Sequence, residues 1–269
     1  MENRKREALW KYIIVTYIVF WVMVIGIGAT ASFVFNASDF VMRWVIAVCS
    51  WAPTIVLVIM FKKLEPNLTL KSFYKKTFSR KIDFKLLFFV TVIMIGLFIA
   101  ATMLITIVTN TTISIQLQFA PSLLFANLFF SIIQGASGEE SGWRGYLLPK
   151  MESKYGCLKG NLVLGLIWGC WHLPLWFTTG LYGGYDLVIY ILVFMVSIVS
   201  VSVFIGVIMK KSNNLFVAFW MHFIFNFTTT FFIGKPIELL ASLGALYLLV
   251  SILSLVVMNP SKVNALDKV

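Results

Sequence analysis

The stretch LLFFVTVIMIGLFIAATMLITIV, residues 86–108, has no charged side chain in 23 consecutive positions. About 20 apolar residues in a helix span the hydrocarbon core of a bilayer, so this stretch is typical of a membrane-spanning helix. Similar apolar runs indicate seven further spans, at 12–35, 43–61, 121–138, 161–177, 187–209, 215–232 and 237–258. We therefore predict an all-α, polytopic membrane bundle of about eight transmembrane helices, with a single membrane domain over residues 1–269.

The composition excludes an ordinary soluble domain. The chain is 60% hydrophobic and 12% charged, and its mean hydropathy is +0.92, whereas about a quarter of the residues in a typical soluble domain are charged. The three cysteines, Cys49, Cys157 and Cys170, include no CxxC pair. We therefore expect no disulfide framework and no cysteine metal site.

The net charge of +11 is explained by topology rather than by nucleic-acid binding. Of the 22 lysines and arginines, 20 fall in the two termini and in alternate loops, whereas the remaining loops hold only Arg43 and Lys235. By the positive-inside rule, this distribution predicts that both termini and the loop at 62–85 are cytoplasmic. The lipid bilayer is then the expected partner of the basic loops, and we expect no nucleic acid.

The first apolar run and the segment at 145–160 each have a second interpretation. The run at 12–35 follows a basic segment and contains ATA at 29–31, which resembles a signal-peptide cleavage site. The run is longer than the usual hydrophobic region of about 7–15 residues, so we expect an uncleaved anchor. Within 145–160 we expect a short interfacial helix whose apolar residues face lipid.

Polar residues inside the apolar segments are the candidates for function. Glu139 and Glu140 end the fourth span, His172 lies in the fifth, His222 lies in the seventh, and Asn226 follows one helical turn later. Ionisable side chains in the hydrocarbon region cost a few kcal/mol each and usually mark a functional site. We expect these residues to converge at one depth in the cytoplasmic half of the bundle.

Spacing predicts different partners for the two carboxylates. Neighbouring residues of a helix point about 100° apart, whereas Glu140 and Arg144 are four apart and share a face. We expect these two to pair, which leaves Glu139 free to bind a proton, a water or a metal. Each feature alone also has a structural interpretation: an ion pair at a helix end, an interhelical histidine hydrogen bond, or a His222–Asn226 contact.

Taken together, the residues predict a site for hydrolysis. Glu139, His172 and His222 form a possible zinc site, because histidine and carboxylate ligands with a water are typical of catalytic zinc. Without a metal, Glu139 would activate a water while His222 and Asn226 stabilise an oxyanion. The helical zinc motif HExxH is absent from the sequence, so both a zinc-dependent and a metal-independent reaction stay open.

Three motifs on successive spans resemble those of the CAAX-protease and bacteriocin-processing family, also called the Abi family, which includes the type II CAAX prenyl endopeptidases. The motifs are Glu139-Glu140-x-x-x-Arg144, Trp168-x-x-x-His172 and His222-x-x-x-Asn226. The resemblance covers roughly residues 121–232, and some members of the family carry Phe at the position of Trp168.

The resemblance implies an intramembrane endopeptidase, either a metalloprotease or a glutamate-dependent enzyme. It implies that Glu139 is the base or the metal-binding carboxylate. It further implies that His172, His222 and Asn226 complete the site with Glu139, and that Glu140 and Arg144 support it.

We therefore expect a protease whose site opens toward the cytoplasm and whose peptide or protein substrate enters from the membrane or the cytoplasmic face. The short chain, rich in Ile, Phe and Lys, favours a bacterial plasma-membrane protein. That favours leader- or signalling-peptide processing, or bacteriocin self-immunity, over a prenylated substrate. Two other classes stay open: a proton-coupled transporter with the Glu/His set as a relay, and a non-catalytic immunity or scaffold protein on the same fold.

Overall fold

The computed structural model describes residues 2–178 and 180–258, and every regular element in these ranges is a helix. The helices are α1 (Glu2–Val22), α2 (Asp39–Cys49), α3 (Ala52–Leu64), α4 (Leu70–Thr77), α5 (Phe84–Val108), α6 (Ile113–Gln116), α7 (Pro121–Ser131), α8 (Ser137–Glu140), α9 (Leu148–Tyr155), α10 (Cys157–Trp171), α11 (Leu173–Thr178), α12 (Gly184–Ser212), α13 (Leu215–Thr229) and α14 (Pro236–Met258). π-helical turns extend α1 to Val34 and join α8 to α9. The predicted all-α membrane bundle is confirmed.

Fewer helical segments are long enough to cross a bilayer than the apolar runs predicted. Within the described ranges, five helical segments are long and apolar enough to cross a bilayer: Glu7–Val34, Asp39–Leu64, Phe84–Val108, Gly184–Ser212 and Pro236–Met258. α13 is apolar but shorter. The predicted spans at 121–138 and 161–177 are each divided into two helices, so the count of eight stays a prediction. The cytoplasmic termini also stay a prediction, because residues 259–269 lie outside the described part of the chain.

Ion pairs gather the predicted cytoplasmic loops at one end of the bundle. Lys150 pairs with Glu65, which joins the segment after α8 to the loop at 62–85. Lys210, in the last turn of α12, pairs with Glu152 at 3.1 Å. We call this the basic end and the opposite end, at which Arg43 lies, the far end.

Side-chain hydroxyls join the long helices α12 and α14. Ser197 Oγ donates to the carbonyl of Leu240 at 2.6 Å, and Ser251 Oγ donates to the carbonyl of Ser200 at 2.7 Å. Helices in a bilayer associate through close packing and hydrogen bonds of this kind, because lipid supplies no hydrophobic driving force between them.

The expected short helix is present as α9, but the prediction that its apolar residues face lipid is wrong, and its place at the membrane interface stays a prediction. Leu147, Leu148 and Met151 are at most 3% exposed and belong to the core. The reason is the close approach of α10, where a Cβ at Gly160 would lie 2.8 Å from the backbone nitrogen of Glu152. Glycine at that position lets α9 pack directly on α10.

Candidate active site

The helix that carries the carboxylate pair is broken just before it. Gln134 is extended (φ −87°, ψ 119°), and Gly135 has φ +79° and ψ −77°. This positive φ is open to glycine but strained for other residues. A Cβ at position 135 would lie 2.8 Å from His222 Nε2 and 2.9 Å from Asn226 Nδ2. Glycine therefore permits both the break and the close approach of the backbone to α13.

Side chains from neighbouring helices satisfy the backbone groups that the break releases. The Gly135 amide donates to Ser50 Oγ at 3.1 Å, and Asn226 Nδ2 donates to the Gln134 carbonyl at 3.0 Å. Irregular backbone at membrane depth is tolerated where protein groups bind it in this way. One N–H of the Asn226 amide is thereby used, and the other is left for a ligand.

Glu140, at the end of α8, is linked to His222 of α13 and to Arg144 by buried ionic contacts. Its Oε1 accepts hydrogen bonds from Arg144 Nη1 at 2.9 Å and from His222 Nδ1 at 2.6 Å. The Arg144 guanidinium also lies over the ring of Trp168, with Cζ 4.1 Å from the ring centre, a cation–π contact. The Glu140–Arg144 pair expected from the spacing is present, and the structure adds His222 to it.

Glu139 has a separate partner. The indole nitrogen of Trp168 donates to Glu139 Oε2 at 2.5 Å. Among the hydrogen bonds of the described residues, this is the one that reaches the Glu139 carboxylate. One oxygen is therefore fixed in place, and the other is available to a water or a substrate.

Hydrogen bonds set the same tautomer in both histidines. His222 Nδ1 lies against the carboxylate of Glu140, and His172 Nδ1 lies 2.8 Å from the carbonyl of Trp168. Both partners accept hydrogen bonds, so each Nδ1 carries a hydrogen and each neutral ring keeps the lone pair of Nε2.

These elements enclose a cavity of about 180 Å³ between α1, α2, α8, α10, α12 and α13. All four residues expected to be catalytic line it: Glu139, His172, His222 and Asn226. Much of the remaining wall is aromatic and apolar: Phe20, Trp168, Trp171, Leu175, Phe194, Ile198 and Phe225. The expected convergence of the three polar segments on one space is therefore present in the structure.

The types of side chain in this site suit zinc, but their positions relative to one another do not. Metal-bound histidines usually donate their other ring N–H to a carboxylate or a backbone carbonyl, as both histidines do here. However, no three His, Cys, Asp or Glu side chains in the described part of the chain are grouped closely enough to hold a metal ion. Glu139, His172 and His222 thus share a cavity without forming a ligand set in this arrangement.

Sequence reasoning missed three residues of the site and the role of a fourth, Trp168. Trp168 was noted for its motif, but its hydrogen bond to Glu139 links residues 29 positions apart. Ser50, Gln134 and Gly135 also line the cavity. A glycine in an apolar run was the one available signal for the break, and glycine is common in transmembrane helices.

Two comparisons relate the chain to known proteins. Residues 120–228 match the family model described as type II CAAX prenyl endopeptidase, Rce1-like. The chain is also 30% identical over 185 residues to CAAX prenyl protease 2 of Methanococcus maripaludis, an alignment that covers 65% of this chain and 67% of that protein.

Proposed function

Because the chain belongs to the family of Rce1-like type II CAAX prenyl endopeptidases and is therefore an intramembrane protease, we propose that its catalytic residues are Glu139, His172, His222 and Asn226. The observation that supports this most is the shared cavity, where Glu139 and His222 are each fixed by a buried partner. The reaction is the hydrolysis of a peptide bond in a membrane-associated peptide or protein.

Glu139 acts as the general base. Its free carboxylate oxygen takes a proton from a water in the cavity, and the resulting hydroxide attacks the scissile carbonyl carbon. A tetrahedral oxyanion forms and then collapses with cleavage of the C–N bond. The proton held by Glu139 passes to the leaving amine, so the carboxylate is restored and the two products are a carboxylic acid and an amine.

His222 and Asn226 stabilise the oxyanion. Asn226 has one N–H that is not used by Gln134. The Glu140 carboxylate holds Nδ1 of His222 and so fixes the ring, and Nε2 donates to the oxyanion when that nitrogen also carries a proton. Donors fixed before the reaction act on developing charge without reorganisation. His172 lines the wall next to Trp168 and orients the water or the substrate carbonyl.

No step of this mechanism passes through a metal ion, because the side chains do not form a ligand set in this arrangement. The metalloprotease alternative differs in a measurable way. A zinc enzyme would retain stoichiometric zinc through purification and would lose both zinc and activity on exhaustive chelation. Glu139, His172 and His222 are the residues whose alanine variants would then lose the metal.

We further propose that the substrate is a leader or signalling peptide, or a bacteriocin-type peptide in self-immunity, at a bacterial plasma membrane. The aromatic and apolar wall of the cavity supports an apolar peptide segment. The name of the archaeal relative describes a prenyl protease, and an isoprenoid-modified peptide is therefore included among the substrates to be tested.

The test compares the peptides released from native membranes by the purified wild-type protein, by Glu139→Gln and by the matched carboxylate variant Glu238→Gln at the far end. We expect new peptide termini with the wild type and with Glu238→Gln, and none with Glu139→Gln, when products are sequenced by mass spectrometry. The same product set from all three proteins would contradict the protease mechanism and favour a transporter or a scaffold.

A further inference from the structure

A second cavity, of about 590 Å³, lies at the basic end of the bundle between α5, α12 and α14. Among the residues that the structure describes, none lines both this cavity and the one beside Glu139. Sites for small molecules usually occupy about 300–1,000 Å³. We call this space the second cavity, and its size is that of a binding site.

The charged groups of the second cavity lie at its mouth. Lys85 is in the first turn of α5, Lys211 is in the last turn of α12, and Asp83 precedes α5. Asp83 caps its own helix, because its Oδ1 accepts a hydrogen bond from the backbone amide of Leu86 at 3.1 Å. The mouth therefore carries two cations and one carboxylate that is already bound.

The interior of the second cavity is apolar. Apart from the three charged residues at the mouth and Ser254, its lining is entirely hydrophobic: Leu86, Phe89, Val90, Ile93, Phe204, Ile208, Val250, Leu253, Val257 and Met258. From Lys85 to Ile93 the lining extends eight residues along α5, or about 12 Å at 1.5 Å per residue. Val90, Phe204 and Ile208 are buried and form the floor, whereas Phe89 and Leu253 are exposed at the sides.

Hydrogen bonds hold the helices around the second cavity in place. Asn214 Nδ2, just after α12, donates to the carbonyl of Arg80 at 2.6 Å, which joins the end of α12 to the segment before α5. The indole nitrogen of Trp220 donates to Thr91 Oγ1 at 2.8 Å and so fixes α5 to α13. The space is therefore bounded by helices that are anchored to one another.

The two lysines at the mouth are available to a ligand. Lys85 and Lys211 are both exposed, and neither forms an ion pair with another residue of the described chain. Lys210, by contrast, is taken up by Glu152. An anionic group at the mouth would meet two ammonium groups without breaking an existing pair.

We propose that the second cavity binds an anionic phospholipid of the cytoplasmic leaflet, with its phosphate between Lys85 and Lys211 and an acyl chain against Phe89, Phe204 and Leu253. The predicted topology places this end of the bundle at the cytoplasmic leaflet. Basic pockets between transmembrane helices on that side bind anionic headgroups. An apolar cavity excludes water, so hydrocarbon is the occupant that suits the interior.

Charge complementarity selects an anionic lipid over a zwitterionic one. A phosphatidylcholine chain would fill the interior equally well, but its headgroup would bring a further cation toward Lys85 and Lys211. A phosphatidylglycerol headgroup carries the phosphate charge alone. The site is separate from the cavity beside Glu139, so binding of the lipid does not require proteolysis.

The test uses phosphatidylglycerol with a photoactivatable diazirine in its acyl chain and the full-length protein reconstituted in phosphatidylcholine. After illumination, the attached peptides are identified by mass spectrometry. We expect crosslinks concentrated in 84–93, 204–211 and 250–258, which unlabelled phosphatidylglycerol reduces and additional phosphatidylcholine does not. Crosslinks spread evenly over the lipid-facing helices, or equal competition by the two lipids, would overturn the proposal.

The role of the mouth is tested with Lys85→Gln/Lys211→Gln. Each lysine near an anionic headgroup contributes about fivefold to binding, so we expect crosslinking in the second cavity to fall on the order of tenfold or more. Lys62→Gln/Lys63→Gln is the matched control, because it removes two exposed lysines from the last turn of α3, outside the cavity. An equal reduction in both double variants would show attraction by net charge and no site.

The role of the interior is tested with Leu253→Trp, which narrows the second cavity. Ile252→Trp is the control, because Ile252 is adjacent, is also 52% exposed and does not line the cavity. We expect Leu253→Trp to reduce crosslinking and Ile252→Trp to leave it unchanged. Equal crosslinking in these two variants would contradict an acyl chain in the interior, and none of these readouts depends on catalysis.

Discussion

The adjacent residues Glu139 and Glu140 are both almost completely buried, yet their surroundings differ in charge. Glu140 contacts a guanidinium and an imidazole, whereas Glu139 accepts one neutral indole N–H. Nε and Nη2 of Arg144 have no hydrogen-bond partner among the described residues, so this buried cation depends on Glu140. One carboxylate maintains the structure around the site, and the other is available for chemistry.

Glu139→Gln should abolish hydrolysis and leave the thermal stability of the detergent-solubilised protein unchanged. Glu140→Gln should reduce activity and also destabilise the fold by about 3–5 kcal/mol, because removing one partner of a buried ion pair leaves the other charge uncompensated. Activity assays and melting curves on both variants check this. Complete loss of activity with unchanged melting in both would contradict the division of roles.

Trp168→Phe removes the donor to Glu139 and keeps an aromatic ring under Arg144. A hydrogen bond to a charged group contributes about 1.5–3 kcal/mol, so we expect kcat to fall on the order of tenfold or more. Trp176→Phe is the matched control, because Trp176 is also buried but its indole nitrogen has no partner in the described structure. Equal activities for the two variants would show that the N–H of Trp168 has no part in orienting the base.

Asn226→Ala should lower kcat on the order of 10²-fold with little change in KM, because an oxyanion donor acts mainly in the transition state. The variant also leaves the Gln134 carbonyl without its partner, so a stability loss of about 1–3 kcal/mol should accompany the kinetic effect. Steady-state kinetics on a peptide substrate distinguish the outcomes. A higher KM with unchanged kcat would make Asn226 a substrate-binding residue instead.

At the scale of elements, the broken helix between α7 and α8 positions the site. The break turns the Gln134 carbonyl toward Asn226 and brings the Gly135 backbone against His222. Ser50, beyond the last turn of α2, holds the Gly135 amide. A continuous helix would satisfy these groups internally and would leave no backbone facing the cavity.

Gly135→Ala should therefore impair both stability and activity. The substitution adds backbone strain of about 1–3 kcal/mol and a Cβ within 3 Å of His222 and Asn226. Gly156→Ala is the control, because Gly156 has the same φ of +79° but nothing within 4 Å of an added Cβ. A larger loss of kcat in Gly135→Ala than in Gly156→Ala isolates the effect on the site, and equal losses would contradict it.

At the scale of the whole molecule, charge is concentrated at one end of the bundle. The ion pairs Lys150–Glu65 and Lys210–Glu152 join loops at the basic end. The second cavity, about 590 Å³ and largely apolar, also lies at this end, between α5, α12 and α14. The loops of the far end hold only Arg43 and Lys235 as basic residues, and this asymmetry is the basis of the predicted topology.

Both termini should lie on the same side of the membrane as the loop at 62–85, because eight crossings return the chain to its starting side. Short peptide tags at the two ends, with Lys76→Cys as the internal reference, report this by protection from protease and maleimide in intact cells. A terminus accessible on the opposite side from Lys76 would show an odd number of crossings between that terminus and Lys76. For the C-terminus, the divided spans at 121–138 and 161–177 would be the first to reconsider.

The sequence by itself determined the membrane bundle, the apolar segments, the Glu140–Arg144 pair and the four residues that line the cavity. Hydropathy and helical spacing are local properties, so each apolar segment, and each polar residue within it, can be identified from residues close together in the chain. The tertiary structure alone decided that Trp168 binds Glu139, that His222 binds Glu140, that the helix breaks at Gly135, and that the apolar face of α9 is buried. Each of these depends on which helix faces are packed together, and that is set by close contacts between segments distant in the chain, which no local pattern records.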